Sequence, residues 1–393
     1  MFETAKIFKQ KGYAYQFLPR IYDYLTKQKI IKYKNVNLKT DYLINMMHEM
    51  ILKFLFTNDI KFNLWSLILR KKYGKTYNIY INYLIEKKFI FLVSKHFAGL
   101  KAKTYKLNII DLDLIRCKVT DKTLLKKYNQ EYLERSFLEY TSSPIPFDLR
   151  HKLVTDLYSV KIDYNKANNY LQEIREREDD LVKFYKNQSS IDSINTGHIF
   201  FKFDAYGRMH TNFTILKKHI RKEYIKIDGE EVDEIDVKNS QPFFFSVLLK
   251  KEIGVENFNS EVQRYCDIVK NGLIYDELAE KCEITRDEAK MLVYKVLFGN
   301  NKDSKKENKC FMLAYPTIYQ YIVDFKDEKK SKSYKELSHR LQLMESKFIF
   351  GVVEKIKEKI PNIKLFTVHD SITFPKKYKA EIETIFNYEF NLL

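Results

Sequence analysis

Two carboxylates and two cations, well separated in the chain, have the types and settings that phosphate chemistry needs. The first carboxylate is Asp370, within the run Lys-Leu-Phe-Thr-Val-His-Asp-Ser-Ile-Thr-Phe that starts at Lys364. β-Branched and aromatic residues flank its polar centre, His369-Asp370-Ser371. That pattern predicts a hairpin with a carboxylate at its tip. The second is Asp236, at the end of the strand-like run Asp233-Glu234-Ile235-Asp236-Val237. Strand side chains alternate, so Ile235 and Val237 turn to the core and Asp236 to the other side. The surrounding acids, Glu230, Glu231, Asp233 and Glu234, equally fit a solvated strand end.

The cations lie between these carboxylates in sequence. Thr285-Arg286-Asp287-Glu288 reads as a capping box, so a helix starts at Arg286. Gly299, followed by Asn300-Asn301, stops it. Arg286, Lys290 and Tyr294 are four residues apart and share a face, while Met291, Leu292, Val296 and Leu297 pack elsewhere. In isolation this is an ordinary amphipathic helix. Beside two carboxylates able to hold metal, its cations suit nucleotidyl transfer, with Tyr294 placed for a base or sugar.

The elements that must position these groups belong to a long, well-cored chain. It has 393 residues, 45% of them hydrophobic, enough for two or three domains. Lys and Arg number 69 against 52 Asp and Glu, a net charge of +17, which favours an anionic polymer as partner. An AT-rich genome would also enrich lysine and tyrosine. The scattered cysteines (Cys117, Cys266, Cys282, Cys310) predict neither a disulfide framework nor a zinc site, and a reducing cytoplasm fits. The N-terminus lacks the apolar core of a signal peptide, and no apolar run is long enough to span a bilayer.

Near the N-terminus, Ile44, Met47, Met50, Ile51, Phe54 and Leu55, then Leu64, Leu67 and Ile68, recur with helical period. Breaks fall at Asn58-Asp59 and Tyr73-Gly74, and a further helix runs from Tyr77 to Lys88. Two strand-like runs, Phe89–Val93 and Thr104–Leu107, flank a basic loop. This order resembles a winged helix, in which the third helix enters the major groove and the wing touches phosphate. The resemblance implies Lys75, Tyr77 and Asn78 near base edges, and Lys95, Lys101 and Lys103 on the backbone. Residues 111–200 read as charged and helical, with Leu171, Ile174, Leu181 and Phe184 at helical spacing.

Residues 200–393 resemble the palm and fingers of family A DNA polymerases and phage-type single-subunit RNA polymerases. The first family motif, an Asp on a strand and a polar stretch, matches Asp236 through Gln241. The second, Arg, three residues, Lys, seven residues, an aromatic and Gly, matches Arg286, Lys290, Phe298 and Gly299. The third, His-Asp at a hairpin, matches His369-Asp370. Gly207-Arg208, Ala314-Tyr315-Pro316 and a helix over Leu341–Ile356 also look like family elements. The implied fold class is α+β: a right-hand polymerase with an antiparallel palm sheet and helical fingers. It implies a winged-helix-like module over 1–110, a helical thumb-like region over 111–200, palm over 201–250 and 346–393, and fingers over 251–345.

The resemblance implies two-metal catalysis, with Asp236 and Asp370 holding two Mg²⁺ ions (Mn²⁺ as a substitute). Arg286 and Lys290 would neutralise a nucleoside triphosphate. Tyr294 and Phe298 would stack near base and sugar, His369 would sit by the primer terminus, and Arg208 would reach phosphate or template. Gln241 stands where the family sorts sugars; its bulk, and the missing hydroxyl of Phe298, favour deoxynucleotides, whereas Ser371 resembles the RNA branch. The expected partners are a DNA or RNA template-primer and nucleoside triphosphates, with no membrane. The expected setting is a plasmid, phage or mobile element. The alternatives are a phage-type RNA polymerase, a non-catalytic DNA-binding initiator with a degenerate palm, and a two-metal nuclease.

Overall fold

The computed structural model describes residues 7, 8, 10–94, 103–109, 112–178, 180–300, 308–326 and 334–393. The chain is a mixed α+β protein forming two compact units. The first comprises Met1–Ser142, Val160–Phe200 and Ile215–Lys226; the second comprises Ser143–Ser159, Phe201–Thr214 and Ile227–Leu393. Both expected N-terminal regions, 1–110 and 111–200, fall largely in the first unit, while Ser143–Ser159 joins the unit that carries the two carboxylates.

In the first unit, β1 (Tyr15–Pro19) pairs antiparallel with β7 (Leu114–Lys118), and β2 (Ile30–Tyr33) with β3 (Val36–Lys39). Helix α1 (Thr40–Thr57) buries Leu43, Met47, Met50 and Ile51 and ends at Asn58 in the left-handed region (φ 57°). Then come β4 (Lys61–Asn63), α2 (Ser66–Tyr73), α3 (Tyr77–Glu86), β5 (Ile90–Ser94) and β6 (Thr104–Leu107). The strands form an antiparallel sheet in the order β4-β6-β5, which buries Phe62, Tyr105 and Leu107 on one face. Helix α4 (Lys122–Thr141) is capped by Asp121. Residues 164–186 are broken by a second cap, Asp180, into helices Tyr164–Glu178 and Leu181–Thr196.

The apolar pattern misplaced α2. Leu67 and Ile68 face solvent, and the helix buries Leu69, Lys72 and Tyr73 instead. The cause is a buried polar network that α2 must satisfy. The Lys72 ammonium is held by Glu49 and by Glu131 (2.7 Å), and Tyr73 donates to Asn45 Oδ1 (2.7 Å). Burying those groups turns Leu67 and Ile68 outward.

In the second unit, α5 (Phe147–Leu157) precedes a hairpin of β8 (Phe201–Phe203) and β9 (Met209–Thr211). Strand β10 (Glu230–Asp236) leads into α6 (Ser240–Ile253), whose Phe243, Phe244 and Phe245 are all buried. Helices α7 (Ser260–Lys270), α8 (Ile274–Cys282), α9 (Arg286–Phe298), α10 (Lys309–Ala314) and α11 (Pro316–Phe325) follow. The long α12 (Glu336–Lys359), the hairpin β11 (Phe366–Val368) and β12 (Ser371–Pro375), and α13 (Lys379–Asn391) complete it. These three strands are neighbours in the order β11-β12-β10, each pair antiparallel. Asp156 of α5 pins the start of the hairpin. It is buried, paired with buried Lys357 of α12, and accepts the Leu365 amide at 3.2 Å.

Two expectations are corrected here. Cys282 and Cys310 are joined as a disulfide between the end of α8 and α10, with Cα atoms 5.9 Å apart. Their 28-residue separation gave no pairing signal, with the whole of α9 lying between them in sequence. Met291, expected to pack, lies exposed on α9. Among the described residues, no helix is long and apolar enough to cross a membrane.

Candidate active site

The two carboxylates are brought together by backbone pairing. Asp236, the last residue of β10, lies opposite Ser371 of β12. One residue on, the Val237 amide donates to the Asp370 carbonyl at 3.1 Å. Val368 pairs with Ser371, so His369 and Asp370 form a two-residue hairpin tip. His369 takes a left-handed conformation there (φ 53°), the backbone such tight turns demand. Asp236 is exposed and Asp370 half-buried. Burial, then the charges of Glu345 and Asp236, pushes the Asp370 carboxyl up to about 7, against the pull of Arg208.

Glu345 was not singled out in the sequence, yet it organises this region. It lies on α12 with 1% of its surface exposed. Its Oε1 accepts from Nε of Arg208 (2.8 Å) and from Nη2 of the same guanidinium. Its Oε2 accepts from Ser240 Oγ (2.5 Å) and from the Gln241 amide nitrogen. The available signal was position. Glu345 interrupts the buried stripe of Leu341, Ile349, Val352 and Ile356, and a carboxylate there needs buried partners.

Arg208 therefore has a carboxylate partner within the unit instead of an open phosphate site. Its turn is built by Asp204, whose Oδ1 accepts the amides of Tyr206 and Arg208, both at 2.9 Å. Gly207 bridges it at φ 81°, where a side chain would be strained. The other Asp204 oxygen lies 2.8 Å from His210 Nε2, and the His210 ring stands 5.5 Å from that of His369. Gln241, expected as a gate, is 3% exposed, with its amide bound to Glu345.

Helix α9 has the expected capping box. The Glu288 amide donates to Thr285 Oγ1 (3.2 Å), and the Thr285 amide to Glu288 Oε2 (2.8 Å). Gly299 ends the helix for want of space: a Cβ would come within 2.6 Å of the Lys295 carbonyl. Buried Lys326 donates to the carbonyls of Val296 and Gly299 (2.8 Å to the latter), holding the same end. Arg286 pairs with Asp276 (2.9 Å), its guanidinium 5.5 Å from the Tyr275 ring. Lys290 is exposed. Tyr294 and Phe298 lie 5.5 Å apart. The Tyr294 phenol is raised by burial and then by the charge of Asp370. Tyr315, from the Ala-Tyr-Pro run, is buried and donates to Glu277 at 2.7 Å.

In the first unit, Lys75, Asn78 and Lys103 are exposed. Tyr77 is 9% exposed and turns into the core, away from any base edge. Lys95 and Lys101 lie outside the described residues. Among the described residues, no group of three His, Cys, Asp or Glu side chains could hold a metal ion. No protein-family model matches the chain, and no curated protein matches it.

Proposed function

We propose that the chain is a template-directed nucleotidyltransferase that extends a 3′-hydroxyl with nucleoside triphosphates, with a right-hand polymerase architecture in its second unit. The supporting observation is the adjacency of Asp236 and Asp370 at one end of the paired strands β10 and β12. This donor set fits Mg²⁺, which takes one or two carboxylates and fills its remaining positions with water and substrate phosphate. Bound by Asp236 and Asp370, two such ions would activate the attacking hydroxyl and stabilise the departing pyrophosphate.

The chain's own groups do the rest. Arg286 and Lys290 bind the triphosphate, and Arg286 must exchange Asp276 for phosphate to do so. Tyr294 and Phe298 offer a stacking surface beside Asp370. His369, at the hairpin tip, contacts the primer terminus. Gln241 borders the sugar and favours deoxynucleotides. Glu345 fixes Arg208, Ser240 and Gln241 as one body next to the carboxylates. In the first unit, the helix–strand–helix–helix–strand–strand order of α1 to β6 supports a winged-helix reading, with Lys75, Asn78 and Lys103 on DNA.

Primer extension with each nucleotide set and Mg²⁺, wild type against Asp370→Ala, tests the proposal. Extension by wild type that the substitution abolishes is the expected result. Specific DNA binding without extension would make the chain an initiator or regulator, and shortening of the primer would make it a nuclease.

A further inference from the structure

The outward face of the β4-β6-β5 sheet carries a pattern that the polymerase reading does not use. Its residues follow from alternation along each strand. On β4, Phe62 points inward, so Lys61 and Asn63 point outward; the Leu64 amide still donates to the Lys103 carbonyl (3.3 Å) and Trp65 is itself extended (φ −83°, ψ 120°), so the alternation carried on past β4 puts Trp65 with Lys61 and Asn63. On β6, Thr104 and Lys106 point outward, and the Thr104 hydroxyl donates to Asn63 Oδ1 at 2.8 Å. Register places Lys61 opposite Lys106, and Lys106 opposite Phe91. Trp65 is 62% exposed and Phe91 42%.

We propose that this face binds single-stranded nucleic acid, with bases stacked on Trp65 and Phe91 and phosphates held by Lys61 and Lys106. Two observations point to that ligand. Like charges directly opposite one another in a sheet are destabilising, and the structure gives neither Lys61 nor Lys106 a carboxylate within ion-pair distance among the described residues. An anion between them relieves the repulsion. The nearby Asp59 is engaged with the Lys61 amide instead (2.8 Å).

The second observation is the pair of exposed rings beside those cations. Cations that track a backbone, interleaved with aromatic platforms, suit unpaired bases. A duplex keeps its base faces stacked inside and offers them nothing. A second copy of this chain meeting the face across a two-fold axis would set lysines against lysines. The sheet face is also distinct from the DNA-reading helix, because the helices cover the opposite side, where Phe62, Tyr105 and Leu107 are buried.

Trp65 is the chain's single tryptophan, so its emission reports the site directly. Oligo(dT) is titrated into the full chain carrying Asp370→Ala, without divalent metal or nucleotide. Expected are saturable quenching of Trp65 and an affinity that falls as salt rises. Phe91→Ala should weaken binding by roughly tenfold. Lys61→Glu with Lys106→Glu should weaken it further, and Lys61→Arg with Lys106→Arg should preserve it. Emission that ignores oligo(dT) would overturn the proposal even if every variant failed to fold. So would equal quenching by a blunt duplex, or emission that shifts with protein concentration alone as dimers form. A wild-type chain that extends primers while Trp65 stays unresponsive would sink this inference and leave the polymerase reading standing.

Discussion

The Val237 amide is bonded to the Asp370 carbonyl at 3.1 Å, so the end of one strand is locked to the tip of a hairpin formed far later in the chain. Side chains on bonded neighbouring backbones cannot drift apart without breaking the ladder. Asp236 and Asp370 are thus placed by main-chain geometry, which gives the candidate centre a rigid floor.

Removing the Glu345 carboxylate should be costly. Glu345→Ala leaves the Arg208 guanidinium, only 17% exposed, without its partner, and breaking such a buried pair costs about 3–5 kcal/mol. Urea unfolding is expected to show that loss, with primer extension lost as well. Glu345→Gln should lose less stability.

Sugar choice should respond to Gln241. Its amide is held by Glu345, so its bulk is fixed in place. Gln241→Gly is expected to raise ribonucleotide incorporation relative to deoxynucleotide incorporation in paired single-nucleotide assays; an unchanged ratio would remove Gln241 from sugar selection.

The first unit should be acid-sensitive through two histidines. His48 is buried, accepts the Phe17 amide at 2.9 Å, and is depressed by burial to about 3. His198, bonded to Thr196 and Asn129, is depressed by burial to about 4. Both take up a proton more readily when unfolded, near the ordinary value of about 6.5. Stability is therefore full above that value and falls as pH drops toward 4 and then 3. His48→Gln should flatten part of this decline in denaturant midpoints measured across the range.

The Cys282–Cys310 bridge brackets the whole of α9. Non-reducing peptide mapping should recover the two cysteines in one linked fragment. Cys282→Ser with Cys310→Ser should lower stability by about 2–4 kcal/mol, and protease should then cut first within this part of the second unit.

The winged-helix reading predicts phosphate contacts. Lys103→Gln should weaken DNA binding at every sequence and reduce the slope of log affinity against log salt by about 1. An unchanged slope would refute that contact.

Local chemistry made much of this legible. The capping box at Thr285 and the hairpin about His369-Asp370 each depend on a few consecutive residues, and the structure has both; the alternation expected before Asp236 is blurred, with Ile235 only half-buried. What escaped depends on distant partners. Glu345 is defined by Arg208 and Ser240, the turn of α2 by Glu49 and Glu131, and the disulfide by residues beyond an intervening helix. Tyr77 turned inward because an aromatic at a helix start can serve packing as readily as recognition. Arg208 was read for phosphate because a lone arginine does not disclose which carboxylate will claim it.

The tie between Asp156, Lys357 and Leu365 carries a consequence for biosynthesis. Asp156 precedes Leu365 by 209 positions. A nascent chain leaving the ribosome must hold that aspartate ready while everything between is translated. The first unit can mature early, but the β11-β12 hairpin cannot dock against Asp156 until its own residues emerge. A stalled translation product ending before α12 would lack both Lys357 and Leu365, keep an unsatisfied Asp156 and make an early substrate for quality control.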